Sequence, residues 1–247
     1  MSEDRYRAGN LDESSRLEFF HSGERHVDHI TRALRSTSDP AFVPRRVLDF
    51  GCGVGRLVVP FARVADHVTG IDVSAAMVAE ADANCRKAGV GNVRLLQAGD
   101  SSGLRDEFDL VHSSIVLQHV PWRRGRELVR SLADRVAPGG YLAVQILSAC
   151  RASGARRALA KACYRVPPLR WLRNAWRGHP VFEPAMQMHV YDVDAIREDL
   201  RVLNFETPEF APVKNVADFD SVFVIARRMA ARDRMGTAPS APQEAEG

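Results

Sequence analysis

The sequence has no apolar run long enough to cross a membrane. Its longest runs, such as residues 142–147, are broken by polar residues far short of the roughly 20 residues that a membrane helix needs. The first residues, Met1 to Asp4, are acidic and do not resemble a signal peptide. With 45% apolar and 26% charged residues, the composition excludes collagen-like and wholly disordered chains. The expectation is a soluble cytoplasmic protein.

Paired cysteines are also missing. The four cysteines, Cys52, Cys85, Cys150 and Cys163, lie far apart and form no Cys-x-x-Cys pair. This spacing indicates neither a disulfide framework nor a zinc knuckle. We expect reduced, mostly buried thiols and no bound metal.

Lysine is scarce, because only three of the 34 basic residues are lysines. The net charge of +3 is small, but the basic residues are unevenly distributed. From Arg151 to Arg177 the chain has eight basic residues and no acidic one. This segment therefore predicts a locally positive surface.

Between residues 45 and 147, short β-branched apolar runs alternate with longer stretches of helical periodicity. This pattern predicts a doubly wound α/β fold, in which helices cover both faces of a mainly parallel sheet. The predicted strands are 46–50, 67–71, 93–97, 108–113, 141–147 and 221–226. The predicted helices are 12–34, 56–64, 74–88, 123–136 and 192–203, with Ser74 as an N-cap and Pro138-Gly139-Gly140 ending the fourth helix.

The same patterns divide the chain into five parts. Residues 1–40 are predicted to form a helical cap, 41–150 a Rossmann-like core, and 191–228 the completion of that core. Residues 151–190, which are basic and contain Pro167-Pro168, are predicted to be a helical insertion or lid. Residues 229–247, rich in Ala, Pro, Gly and Glu, are predicted to be disordered.

A glycine-rich turn connects the first predicted strand to the following helix. The strand Val47 to Phe50 leads directly into Gly51, Gly53 and Gly55. Glycines let a ligand approach the backbone closely, and a helix N-terminus offers N–H groups to an anion. The spacing is Gly-x-Gly-x-Gly rather than the Gly-x-Gly-x-x-Gly of nicotinamide or flavin sites, which weakens a dinucleotide interpretation.

A carboxylate follows the second predicted strand. Asp72 comes 19 residues after Gly53, where a doubly wound fold brings the second strand beside the first loop. There it can accept hydrogen bonds from both hydroxyls of a ribose. Alternatively, it only caps the helix that begins near Ser74.

Five motifs together resemble class I S-adenosylmethionine-dependent methyltransferases. They are Val47 to Arg56, Gly70 to Ser74, Gly99 to Ser101, Phe108 to Leu110 and Ala137 to Gly140, and the resemblance covers roughly residues 40–147. It implies a seven-stranded sheet whose last strand is antiparallel, with S-adenosylmethionine across the tips of the first four strands. The cofactor-binding residues implied or predicted on this basis are Asp49, Gly51, Gly53, Gly55, Asp72, Val73, Asp100, Ser101 and Ser113.

The segment after the fourth strand supplies the candidates for chemistry. His119 is predicted as a general base because imidazole titrates near neutral pH and, in this family, the loop faces the cofactor's sulfur. Alternatively, it only packs there and the enzyme works by proximity. Gln118, His189 and Tyr191 are predicted to bind the acceptor, and the absence of an Asn-Pro-Pro-Tyr motif favours oxygen over nitrogen as the methylated atom.

The basic insertion allows several interpretations. Between Pro168 and Arg177, apolar residues recur at helical spacing. Each is followed directly by a basic residue, namely Arg170, Arg173 or Arg177, so one helix would carry adjacent apolar and basic stripes. The face is either a solvated lid surface, a clamp in which Arg170 and Arg173 bind an anionic acceptor, or an interfacial helix at an anionic membrane. RNA is a weaker option, because no stacking platform accompanies the charge.

The predicted function is therefore methylation of a small, anionic or lipid-linked acceptor, most plausibly at oxygen. Two alternatives stay open: a catalytically silent S-adenosylmethionine sensor or scaffold, and an RNA methyltransferase. The sequence does not identify the oligomeric state or the acceptor.

Overall fold

A computed structural model describes most of the 247-residue chain. The described residues are 13–37, 40–103, 106–157, 187–216 and 218–230, together with the isolated residues 162, 166, 168, 171 and 176. Residues 154–157 are helical, but most of the predicted insertion at 151–190 lies outside the described residues. The predicted tail is described only at residues 229–230.

Seven strands form one mixed sheet. They are β1 (Arg46–Phe50), β2 (His67–Asp72), β3 (Val93–Gln97), β4 (Phe108–Ser113), β5 (Val136–Cys150), β6 (Glu209–Val216) and β7 (Phe219–Arg227). Their spatial order is β3-β2-β1-β4-β5-β7-β6. Strands β1 to β5 pair in parallel, whereas β7 is antiparallel to both β5 and β6. The predicted seven-stranded Rossmann-like sheet with an antiparallel last strand is confirmed.

Apart from the partly described helical residues between 154 and 176, five α-helices are packed around this sheet in the described parts of the chain. They are α1 (Glu13–Thr37), α2 (Val58–Ala62), α3 (Ala75–Lys87), α4 (Trp122–Ala133) and α5 (Val193–Val202). Successive strand residues point to opposite faces, so Val47 packs with α1 and α2 while Leu48 packs with α4 and α5. The strand interiors are therefore apolar on both faces, as a doubly covered parallel sheet requires.

The fourth predicted helix ends earlier than the sequence pattern indicated. Helix α4 ends at Ala133, and Val136 already belongs to β5, so the predicted end at Pro138-Gly139-Gly140 is wrong. Gly139 adopts a φ of 83° inside the strand, and the pairing of β4 with β5 shifts register between Phe108 and Leu110. The glycines thus accommodate an irregularity in β5 rather than ending a helix.

The sequence patterns did not predict strand β6. Strand β6 contains Pro212 and Lys214, both of which disfavour a strand assignment. Its position at the end of the sheet, paired only with β7 among the described strands, explains why a proline is tolerated there.

Candidate active site

The loop after β1 has a backbone shape that favours glycine at three positions. Gly51, Gly53 and Gly55 have φ values of 77°, 52° and 84°. At Gly51 a Cβ would lie 2.0 Å from Val116 Cγ2, whereas a Cβ at Gly53 would have no described atom within 4 Å. Gly51 therefore serves close packing against the loop after β4, and Gly53 leaves open space above the backbone.

Asp72 joins the end of β2 to this loop. Its Oδ2 accepts a hydrogen bond from the Gly53 N–H at 2.9 Å, and its Oδ1 accepts one from the Ser74 N–H at 2.9 Å. The N-cap of α3 is Ser74, whose side chain accepts from the Met77 N–H. Asp72 is therefore not merely a helix cap, because it also orients the glycine loop. Its neighbour Val73 is 74% exposed.

Asp49 is the second-last residue of β1, and its carboxylate is buried. Its Oδ1 lies 2.9 Å from Nδ1 of His112, which occupies the paired position on β4. Its Oδ2 is buried and has no hydrogen-bond partner among the described residues. Asp49 lines a cavity of about 220 Å³ together with the glycine loop and residues 114–116. A buried carboxylate oxygen without a donor is costly, so this atom fits a ligand that brings one.

Helix α1 lies over the same loop. Phe19 lines the cavity, and the Arg56 guanidinium stands 5.6 Å from the centre of the Phe19 ring. Nearer the sheet, the half-buried ring of His26 has its Nε2 3.0 Å from Nε2 of His112. The predicted cap segment thus contributes side chains to the walls of the site.

Burial of His26 predicts acid sensitivity of the fold. Desolvation, reinforced by His112, Arg56 and His29, lowers the pKa of His26 to about 2 from an ordinary value near 6.5. The unfolded chain therefore binds a proton that the folded chain does not, and stability contributed by neutral His26 is lost as pH falls below 6.5.

We expect the free energy of unfolding to fall between pH 6.5 and pH 5 in both the native sequence and His26→Gln. The fall should be larger in the native sequence by up to about 2 kcal/mol. Urea titrations at both pH values measure this difference. His67→Gln, which changes an exposed histidine on β2 that does not act on His26, is the control and should retain the native pH dependence. Parallel pH curves for the native sequence and His26→Gln would contradict the prediction.

The turn after β3 holds two further predicted residues. Asp100 lies in a 3-10 turn, Ala98–Gly103, and is exposed, and the backbone of Ser101 follows in the same turn. Gln97 Nε2 donates to the Val73 carbonyl, which fixes the ends of β3 and β2 relative to each other. The tips of β1, β2 and β3 thus lie side by side, as the ordering of the sheet requires.

Ser113 corrects one cofactor-binding prediction. Its side chain is fully buried and its hydroxyl donates to the Phe50 carbonyl at 2.9 Å. The hydroxyl therefore joins β4 to β1 instead of facing a ligand. The adjacent Ser114 donates to Gln145 Oε1, and Gln145 in turn donates to Ser221 on β7.

Tyr191 corrects an acceptor-binding prediction. It is 1% exposed, and its hydroxyl lies 2.8 Å from the Leu117 carbonyl and 2.9 Å from the Val120 carbonyl. Tyr191 is therefore a structural anchor for the loop after β4. His189 lies beside the same loop, where its backbone N–H donates to the Gln118 carbonyl at 2.8 Å.

His119 lies in the loop that these contacts hold. The Gln118 Nε2 amide group is 3.0 Å from Nε2 of His119, and because an amide nitrogen only donates, the imidazole accepts at that atom. Gln118 is 2% exposed, and its side-chain amide is engaged in this contact with His119. In the same loop Ile115 has a φ of 65°, a strained conformation for a β-branched residue, and its side chain lines the cavity.

The structure brings together most predicted site residues, but not all of them. Asp49 and Gly53 line the same cavity, and Asp72 accepts from the Gly53 N–H, while His119 and His189 both contact Gln118. Arg170, Arg173 and Arg177 lie outside the described residues. Sequence reasoning missed His26 and His112, and only His112 had a usable signal, because polar residues stand at paired positions of the predicted β1 and β4.

No group of three His, Cys, Asp or Glu side chains in the described ranges could hold a metal ion. Within those ranges no helix has both the length and the apolar character needed to cross a membrane.

Comparisons with known proteins agree with one another on the core. The family described as "Methyltransferase domain" matches residues 47–140. A magnesium protoporphyrin IX methyltransferase from Synechocystis PCC 6803, solved with bound SAH, superposes with a TM-score of 0.60 at 21% identity over 91% of each chain.

Two curated relatives differ in their named reactions. A ubiquinone biosynthesis O-methyltransferase of Rhizobium leguminosarum bv. trifolii is 28% identical over 195 residues, which is 76% of this chain and 74% of the relative. A 23S rRNA (uracil(1939)-C(5))-methyltransferase of Aeromonas hydrophila subsp. hydrophila is 43% identical over 72 residues, 27% of this chain and 16% of the relative. Several curated relatives are matched over only 16% to 41% of their own length.

Proposed function

We propose that this chain, which belongs to the class I S-adenosylmethionine-dependent methyltransferases, transfers a methyl group from S-adenosylmethionine to an oxygen atom of a small molecule. The observation that carries the proposal is the buried Asp49 Oδ2, which lacks a donor among the described residues and lines the cavity beside the glycine loop. An ammonium group, such as that of the cofactor's amino-acid end, supplies the donor that this atom needs.

Residues at three strand tips would hold the cofactor. Each oxygen of Asp72 accepts one backbone N–H and keeps capacity for a second donor, which fits the two hydroxyls of a ribose. The open space at Gly53 fits a ligand that approaches the backbone, and exposed Asp100 could accept from an adenine amino group. When bound, S-adenosylmethionine supplies an electrophilic methyl group on a cationic sulfur whose departure needs no acid.

The loop after β4 would align the acceptor. Ser114, Tyr191 and the His189 backbone fix it from three directions, and this rigidity suits a reaction that depends on in-line alignment. Helix α1 covers the glycine loop through Phe19, which favours a small acceptor over a folded macromolecule. The named O-methyltransferase relative supports oxygen as the methylated atom.

The charge of the acceptor is part of the proposal. Arg170 and Arg173 would bind a carboxylate or phosphate, and residues 168–177 would alternatively contact an anionic membrane that holds a lipid-linked acceptor. A cytoplasmic location fits either case. RNA is not favoured, because the rRNA-modifying relatives are matched over only 16% to 22% of their own length.

His119 is the proposed general base. Because Gln118 occupies its Nε2, this hydrogen bond has to open when the acceptor's hydroxyl binds. We expect His119→Ala to lower kcat by about 100-fold or more while the affinity for S-adenosylhomocysteine changes little. Steady-state kinetics and calorimetry measure the two quantities.

A neighbouring residue serves as the control for His119. His189→Ala keeps the backbone donor to Gln118, so it should change KM more than kcat. If His119→Ala costs less than about fivefold in kcat at the optimum pH, the loop acts by alignment alone.

Methyl transfer from labelled S-adenosylmethionine to fractionated cell extract tests the whole proposal. We expect label in a small organic product that ribonuclease does not alter. Label released by mild base as methanol identifies a carboxyl ester, and base-stable label is consistent with an ether. Label in nuclease-sensitive material, or no transfer above that of a cofactor-binding variant such as Gly53→Val, would overturn the proposal.

A further inference from the structure

Three side chains form a continuous row from the sheet to helix α1. Asp49 on β1 contacts His112 on β4 at 2.9 Å, and His112 contacts His26 on α1 at 3.0 Å. His26 and His112 are 86 positions apart in the sequence, so only the fold brings them together. Asp49 and His112 are 1% and 0% exposed, which removes water as a partner for the central part of the row.

With one proton on each imidazole, the two contacts of the row have a single direction. An ionised Asp49 accepts from the Nδ1–H of His112, which leaves His112 Nε2 as an acceptor. The Nε2–H of His26 then donates to it. Neutral His26 agrees with the burial that lowers its pKa to about 2. In this arrangement the row carries one negative charge, on Asp49.

Aromatic rings hold the central imidazole in place. The Phe223 ring stacks at 5.9 Å from the His112 ring, and the Phe61 ring meets it edge-on at 5.4 Å. His26 also packs against Phe223 at 5.4 Å. The His112 ring therefore has little freedom to turn, and the carboxylate bonded to it is held by Oδ1 alone. Oδ2 is buried without a donor among the described residues, and Asp49 lines the cavity.

We propose that His112 and His26 are positioning residues that hold the Asp49 carboxylate so that Oδ2 receives the ammonium group of the cofactor. The inference rests on the proposed assignment of Asp49 to that group. Through His26, helix α1 therefore influences the binding of the cofactor's amino-acid end and not that of its adenosine end. The row should therefore affect only ligands that carry the amino acid.

Two ligands separate this role from a general contribution to folding. S-adenosylhomocysteine has the amino-acid end, and 5′-methylthioadenosine has the same adenosine without it. We expect His112→Phe, which keeps an aromatic ring but loses both nitrogens, to weaken S-adenosylhomocysteine by about 20-fold or more and 5′-methylthioadenosine by less than about threefold. Calorimetry with both ligands measures the split.

Conservative variants give the matched controls. His112→Asn keeps an N–H at the position of Nδ1 and should retain S-adenosylhomocysteine affinity within about fivefold. His26→Gln keeps a donor toward His112 and should behave like the native sequence, whereas His26→Phe should lose about fivefold for S-adenosylhomocysteine alone. Because His26 is only half-buried, these two variants remain informative if His112→Phe does not fold.

The outcomes distinguish this inference from the assignment on which it rests. If Asp49→Asn leaves the affinity for S-adenosylhomocysteine unchanged, the assignment of Asp49 fails. If Asp49→Asn weakens that ligand alone but the phenylalanine variants of His112 and His26 do not, the positioning role fails. Equal weakening of both ligands by the phenylalanine variants also overturns it, because a purely structural role acts on both.

Discussion

Replacing Gly53 by valine is expected to abolish measurable binding of S-adenosylhomocysteine, a loss of about 100-fold or more, while the chain still folds. A side chain at this position would enter space in which no described atom lies within 4 Å, so it clashes with a ligand and not with the protein. The φ of 52° adds a strain of about 1–2 kcal/mol to the folded state. Calorimetry for the ligand and urea unfolding for stability measure the two effects separately.

The chain offers a matched control for backbone strain. Gly89 follows α3, has a φ of 69° and also has no described atom within 4 Å of a built Cβ. Gly89→Val should therefore cost similar stability and leave ligand affinity unchanged. Normal affinity in Gly53→Val, or equal loss of affinity in both variants, would contradict the assignment of the glycine loop.

Asp72→Ala is expected to weaken S-adenosylmethionine and S-adenosylhomocysteine by about 2–3 kcal/mol, a factor of roughly 30 to 150. The substitution removes the acceptors proposed for two ribose hydroxyls and frees the Gly53 N–H that Asp72 now binds. Unlike variants of the histidine row, it should weaken 5′-methylthioadenosine to the same extent, because that ligand contains the ribose.

A ligand without one hydroxyl provides the control for Asp72. The 2′-deoxy analogue of 5′-methylthioadenosine should bind the native sequence more weakly, yet bind Asp72→Ala about as well as the parent compound does. Such a double-mutant cycle isolates the contact between carboxylate and ribose. Additive losses from the variant and the analogue would show that Asp72 acts only by shaping the loop.

The glycine turn after β1 and its contact with Asp72 were predictable because their signals are local. Val47 to Gly55 combines a strand and a glycine turn in consecutive residues, and the fold's ordering of β1 beside β2 places Asp72 at that turn. The positive φ values of the turn favour glycine, so the sequence pattern indicates the turn directly.

Side-chain direction and distant pairing were not predictable in the same way. Ser113 and Ser114 are adjacent, but strand alternation turns the first toward Phe50 and the second toward Gln145. His26 meets His112 only because α1 packs over β4, and no local pattern encodes that meeting. Tyr191 carries a polar hydroxyl, yet that hydroxyl contacts two backbone carbonyls of the protein itself.

The anchoring of the loop by Tyr191 sets limits for redesign of acceptor preference. Its hydroxyl contacts two loop carbonyls, while a Cβ at Gly125 would lie 1.8 Å from that oxygen, so neither position tolerates exchange. His189, by contrast, contributes its backbone N–H to the loop, and Val190 is exposed. Under the proposed function, libraries that vary residues 188–190 and keep Tyr191 and Gly125 therefore test for new acceptors without removing the contacts that hold the loop of His119.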